Sequence, residues 1–147
     1  MSRDGNEALV RRLYDGVWSS DDFDVADELV AESEIHHEHG GTAPGGPEAQ
    51  KQAARAFRTA FPDAHFALEV VVSYADHVAA RWRCTATHAK TGTRIEDYVG
   101  VNFFRIADGK IVETWDTRDD LGLFAQLGLV TPPLELLTQT YGPLAFT

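Results

Sequence analysis

The sequence holds a single cysteine, Cys84, and is short of basic residues: 13 Lys and Arg stand against 23 Asp and Glu, a net charge of −10. One cysteine excludes an internal disulfide. The shortage of Lys and Arg argues against nucleic acid and against anionic membrane surfaces, since both require clustered positive charge. No apolar run approaches the roughly 18 residues of a membrane span. The N-terminus MSRDGNEALV lacks the apolar core of a signal peptide, so a cytoplasmic location is expected. Internal repeats and linkers are missing too, which leaves one domain over residues 1–147. What is present is the ordinary globular mixture, 44% hydrophobic and 24% charged. A chain of 147 residues buries roughly two-thirds of its unfolded surface, enough for a core with a pocket in it.

Hydrophobic periodicity divides the chain into two halves. Asn6 to Trp18 reads as an amphipathic helix with Leu9, Val10, Leu13, Val17 and Trp18 on one face. Ser20, Asp21 and Asp22 are candidate caps for a short second helix through about Val30. HHEHGGTAPGGPEAQ breaks all periodicity and reads as a loop, after which Pro47 and Glu48 begin a third helix that Pro62 ends. Beyond Asp63 the period changes to two. Phe66, Leu68, Val70, Val72 and Tyr74 make one strand; Val78, Ala80, Trp82, Cys84, Ala86 and His88 share a face of the next. These apolar neighbours make Cys84 a buried thiol with no base beside it, unsuited to nucleophilic chemistry. Strands at Arg94 to Ile106 and Ile111 to Asp119 are joined by ADGK, an Asp-Gly hairpin signal, and DLGLFAQLG gives a helical turn or two ended by Gly128. The tail, with Pro132, Pro133 and Pro143, has no readable period. Helices followed by a meander of long strands is an α+β order. A curved antiparallel sheet wrapped around the N-terminal helices would enclose a cone-shaped cavity of the kind that takes small molecules.

ETWDTRDDLG concentrates the acidic chemistry. In an unbroken strand Glu113, Trp115, Thr117 and Asp119 point one way, and Thr114, Asp116 and Arg118 the other. Asp119 therefore shares a face with the Trp115 ring, a setting that raises a carboxylate pKa. Asp116 beside Arg118 and Thr114 reads as an ion-paired surface, and Asp120 as a cap of the turn that follows. His88 ends the apolar face of its strand and should reach the rim of the cavity. HHEH places His36 and His39 three apart, yet no Cys pair or HExxH accompanies them, so no metal is expected.

Phe61-Pro62-Asp63, Thr87-His88, Arg105 before Asp108-Gly109-Lys110-Ile111, Glu113-x-Trp115-x-x-x-Asp119 and Gln126-Leu127-Gly128 together resemble the SnoaL-like polyketide cyclases, of the nuclear-transport-factor-2-like superfamily. The resemblance runs from the first helix to about Val130. It implies the cone fold and a cofactor-independent aldol condensation that closes a ring of an aromatic polyketide in antibiotic biosynthesis, with an Asp near the end of the last strand as general base and acid. That family position falls on Asp119. It also implies a cavity-facing His after the second helix, for which His37 is preferred over His36. His88 is a candidate supporting donor. Trp82, Tyr98, Phe104 and Trp115 are candidates to stack on a hydrophobic polycyclic aromatic substrate, and Asn102 and Tyr98 are candidate polar contacts. No cofactor is implied, and a homodimer or higher homo-oligomer is expected. The same fold hosts hydroxylase components, epoxide hydrolases with an Asp-Arg-Asp arrangement, and non-catalytic binding modules. The sequence departs from the family between His88 and Gly92, where a longer Gly-rich segment shrinks to AKTG.

Overall fold

The computed structural model describes residues 2–143. Helix α1 (Arg3–Leu13) is capped by the Ser2 side chain and buries Leu9, Val10 and Leu13. It runs into a π-helical turn, Tyr14–Trp18, in which Tyr14 and Val17 are buried. Short helix α2 (Val25–Leu29) leads directly into strand β1 (Val30–Glu38) and then β2 (Gly41–Ala43). Helix α3 (Pro47–Ala60) starts with Pro47 in its first turn, as read from the sequence. Strands β3 (His65–Tyr74), β4 (His77–Thr87), β5 (Arg94–Ala107) and β6 (Lys110–Arg118) follow. The described chain closes with α4 (Asp120–Gln126) and α5 (Pro133–Tyr141).

The six strands form one open sheet in the order β2-β1-β6-β5-β4-β3. The expected meander β3 to β6 is antiparallel throughout, and its last turn holds Asp108 and Gly109 at φ 50° and 73°, the left-handed pair that an Asp-Gly hairpin requires. Register shifts interrupt the ladders of β3 with β4, β4 with β5 and β5 with β6, and such bulges bend the sheet around the helices. The difference from the sequence reading lies in β1. His36, His37 and Glu38 are not loop but strand, paired in parallel with Thr114, Trp115 and Asp116 of β6. Periodicity fails to reveal β1 because its inward positions carry Glu34 and His36 instead of apolar residues. The loop that follows supports it at close range. A Cβ at Gly45 would lie 2.1 Å from the Glu34 carbonyl oxygen, and Gly46, at φ 89°, donates its N–H to Glu34 Oε2 at 2.9 Å.

The core fills the space between helices and sheet. Leu9, Val10, Leu13 and Val17 from the helices meet Val78, Ala80, Cys84 and Ala86 from β4, Ile95 and Phe104 from β5, and Ile111 from β6. Burial pushes the Cys84 thiol up to about 12, so it is an inert core residue. Asp63 of the FPD motif accepts bonds from the Thr87 backbone N–H at 2.6 Å and hydroxyl at 2.8 Å, tying the end of α3 to the end of β4. On the opposite face of the sheet Val70, Val72 and Phe103 stay about half exposed.

Gly100 sits under the Trp82 ring. A Cβ there would lie 2.3 Å from Trp82 Cζ2 and 2.8 Å from the Thr117 carbonyl oxygen, and neither can move cheaply. Gly100→Ala should cost about 1–3 kcal/mol as an overpacked site. At roughly 2–4 °C per kcal/mol for a chain of this size, that is a clear fall in thermal midpoint by circular dichroism. An unchanged midpoint would show that the Trp82 ring is free to shift.

Candidate active site

A cavity of about 360 Å³ opens between the helices and the concave face of the sheet. Its walls are mainly aromatic. Trp82 stands edge-on to Tyr98 and to Phe66, each at 5.1 Å between ring centroids, and Phe57 stacks on Tyr98 at 6.0 Å. Tyr14 and Trp18 reach the cavity from the π-helical turn, an irregularity that often marks functional sites. Polar groups enter from the remaining wall, formed by β1, β6 and the start of α4: His36, Asp116, Arg118 and Asp120.

These four form one charged network. His36 Nδ1 lies 3.6 Å from Glu34 Oε1, and its Nε2 lies 3.9 Å from Asp116 Oδ2. Arg118 Nη1 donates to Asp116 Oδ2, its Nε to both Asp120 oxygens at 3.1 Å, and its Nη2 contacts Glu38 Oε2 at 2.9 Å. Tyr98 Oη donates to Asp120 Oδ1 at 2.6 Å. The Asp116 and Glu34 carboxylates on either side push the His36 imidazole up to about 9, so it is protonated at neutral pH. Burial works to raise the Asp116 carboxyl, but His36 and Arg118 outweigh it and hold Asp116 below the usual carboxylate range. Glu34 is likewise held low, against its burial, by His36, the Thr114 hydroxyl and the Gly46 N–H. Burial, then the Asp120 carboxylate, push the Tyr98 hydroxyl well above the phenol range, so it stays a neutral donor. The wall thus presents an ionised carboxylate and an imidazolium to an aromatic cavity.

Of the residues singled out from the sequence, Trp82, Tyr98, Asn102 and Phe104 all line this cavity. His37, Trp115, His88 and Asp119 do not. Ile111 pairs with Ile106 while Glu113 pairs with Arg105, so a bulge at Val112 separates the inward Ile111 from Thr114, Asp116 and Arg118, which then face inward together. Trp115 is on the outer face, stacked on His37 at 5.2 Å, and His37 Nε2 donates to Glu113 Oε1 at 2.8 Å. The parity itself holds, but the large ring marks the outside and the polar residues the inside. Burying Asp116 is possible because His36 and Arg118 compensate it. Asp119 lies beyond the strand end, exposed, and its carboxylate caps α4 by accepting from the Gly122 N–H at 2.8 Å. His88 turns away to Thr91 Oγ1 at 2.9 Å. The capping and cavity roles are therefore exchanged between Asp119 and Asp120 relative to the sequence reading. Of the two histidines weighed for the cavity it is His36, the less preferred, that enters it, and Arg118 joins it unannounced because a charged residue inside an apolar cavity leaves no hydrophobic period to detect.

His36, Glu38 and Asp116 bring donor atoms within 4.8 Å of one another, the one such cluster found among the described residues. These donors suit a guanidinium better than a metal ion. Arg118 already bridges Glu38 and Asp116, so its guanidinium holds the position a cation would take.

The SnoaL-like polyketide cyclase family model matches residues 8–127. Among solved structures, a candidate polyketide cyclase from Bacillus cereus is 30% identical with a TM-score of 0.77, the match covering 89% of this chain and 87% of that one. IdmH from Streptomyces antibioticus, described as a candidate polyketide cyclase, is 28% identical with a TM-score of 0.74, over 84% of this chain and 98% of its own. AclR from Streptomyces galilaeus, described as a candidate hydroxylase, shares the fold at 24% identity and a TM-score of 0.78, over 88% of this chain and 100% of its own. A comparison with curated proteins gave no match.

Proposed function

The chain belongs to the SnoaL-like polyketide cyclase family, and from that premise we propose that it closes a ring on an aromatic polyketide by aldol-type proton transfer, with Asp116 as base and His36 as acid. The observation that carries this reading is the pairing of an ionised Asp116 with a protonated His36 on the wall of an aromatic cavity. Asp116 takes a proton from a carbon activated by flanking carbonyls. The carbanion attacks a second carbonyl of the same molecule, and His36 protonates the oxygen formed there. Transfer of the proton from Asp116 to His36 resets the pair, so the net change is an isomerisation. The depressed Asp116 makes a weak base, which restricts the reaction to carbon acids as acidified as a β-dicarbonyl methylene. In return the carboxylate is ionised throughout the neutral range. Positioned acid and base groups contribute roughly 10²–10⁴ in rate each.

A second reading has one observation in its favour. Arg118 bridges Asp116 and Asp120, an Asp-Arg-Asp arrangement suited to activating water for epoxide opening. Turnover in oxygen-18 water and under oxygen-18 gas separates the readings. Aldol closure takes up neither label, epoxide opening takes one oxygen from water, and hydroxylation takes one from the gas. The aldol reading also expects the rate to fall above about pH 9, where His36 loses its proton. Label in the product, or a rate still rising through that pH, would rule the aldol assignment out.

A further inference from the structure

Asn102 is 8% exposed and lines the cavity. Its carboxamide oxygen accepts the Trp82 indole N–H at 2.8 Å. An indole nitrogen can only donate, so this contact fixes which end of the amide faces Trp82. The oxygen is committed to the indole and the NH₂ group is turned the other way. Among the described residues no side chain or carbonyl accepts from that NH₂, although almost every other polar side chain in this wall is bonded. Trp82 is itself held in place, 4% exposed, edge-on to both Phe66 and Tyr98, with the side-chain-free Gly100 beneath it. Asn102 is also the direct cross-strand partner of Asp116. Residues so paired have Cβ atoms about 4.5–5.5 Å apart, and here both side chains face the cavity.

Side chains paired in this way can engage neighbouring atoms of one bound substrate, Asp116 at an acidic carbon and Asn102 at the adjoining carbonyl oxygen. We propose that the Asn102 carboxamide is the donor that holds the substrate's carbonyl oxygen as it becomes an enolate, with Trp82 as the residue that positions it. The C–H bond breaks, its proton goes to Asp116, and its electron pair passes to the oxygen held by the Asn102 N–H. This assignment rests on the aromatic-polyketide reading above and deepens it: the substrate must carry an acceptor oxygen adjacent to its acidic carbon. The Asn102 N–H faces the open cavity, and a flat ligand that covers it without offering an acceptor leaves it unpaired at a cost, so the cavity discriminates against ligands that lack such an oxygen.

The test uses a pair of soluble probes of the same outline, anthraquinone-2-sulfonate and anthracene-2-sulfonate, titrated against the intact protein by fluorescence. The wild type should bind the quinone about threefold to tenfold more tightly, the range of one neutral hydrogen bond. Asn102→Leu should abolish that preference by weakening the quinone and strengthening the anthracene, opposite changes that a merely structural role would not give. Trp82→Phe keeps an aromatic ring but frees the amide, and should reduce the preference to an intermediate value. Equal affinity of the wild type for both probes, or a preference that survives Asn102→Leu, overturns the Asn102 assignment and leaves the cyclase reading standing. Failure of the wild type to bind either probe overturns both.

Discussion

Asp116→Asn should lower turnover on a cyclisable polyketide by about 10²–10⁴, whereas Asp119→Ala should leave turnover nearly unchanged and instead cost about 1 kcal/mol of stability, as the loss of a helix N-cap does. Asparagine at 116 keeps the shape and the hydrogen-bonding length of the side chain but cannot take a proton. It also removes a negative neighbour that keeps His36 protonated, so the acid weakens along with the base. Asp119 does not line the cavity, and its carboxylate accepts from the Gly122 N–H. Steady-state kinetics and thermal melts on the two variants separate the roles. Activity lost in a folded Asp119→Ala and retained in Asp116→Asn would return the base to Asp119.

Arg118→Leu should be the most destabilising change at the site. The guanidinium contacts Asp116, Asp120 and Glu38, and its removal leaves three carboxylates facing one another with His36 as the remaining nearby cation in the cavity wall. Breaking a buried ion pair on one side costs about 3–5 kcal/mol. The Arg118 side chain is 27% exposed, which places the expected loss toward the lower end. The sign of the pH dependence follows from the carboxylates. In the wild type Asp116 is held low, so its contribution to stability is present above the usual carboxylate range and fades as the pH falls through its depressed value. Without Arg118 the Asp116 carboxyl rises, and the variant gains protons on folding that the wild type does not. The stability gap should therefore be largest near neutral pH and narrow on acidification. Urea unfolding at neutral pH and near pH 4.5 measures it. A gap that does not change with pH would mean that Arg118 acts through packing of its aliphatic stem.

Much of this architecture follows from alternation in the sequence. The inward face Val78, Ala80, Trp82, Cys84 and Ala86, the Asp-Gly hairpin and the Pro47 helix start all fall where periodicity and turn chemistry put them. The site was legible only on its apolar side. Trp82, Tyr98 and Phe104 announce themselves by the same alternation, and Asn102 comes with them because it occupies an inward position between apolar neighbours. The charged wall breaks the rule that alternation relies on. Its inward residues, Glu34, His36, Asp116 and Arg118, are buried because they satisfy one another across β1 and β6, and that pairing is invisible until the strands are side by side. Trp115 misleads for the complementary reason: its ring is covered by His37 on the outer face instead of by the core. The short helix between the tail prolines cannot be placed from the sequence because no position in α5 is buried, leaving no stripe to read.

The parallel pairing of β1 with β6 joins segments about 80 residues apart, as the Glu34–Thr114 bond illustrates. Contacts of such separation must repay the entropy of closing a long loop, and they form late. His36 leaves the ribosome about 80 residues ahead of Asp116. Until β6 docks between β1 and β5, Glu34 lacks the Thr114 hydroxyl and His36 lacks Asp116, so the acid and the base come into register in the same event that completes the sheet.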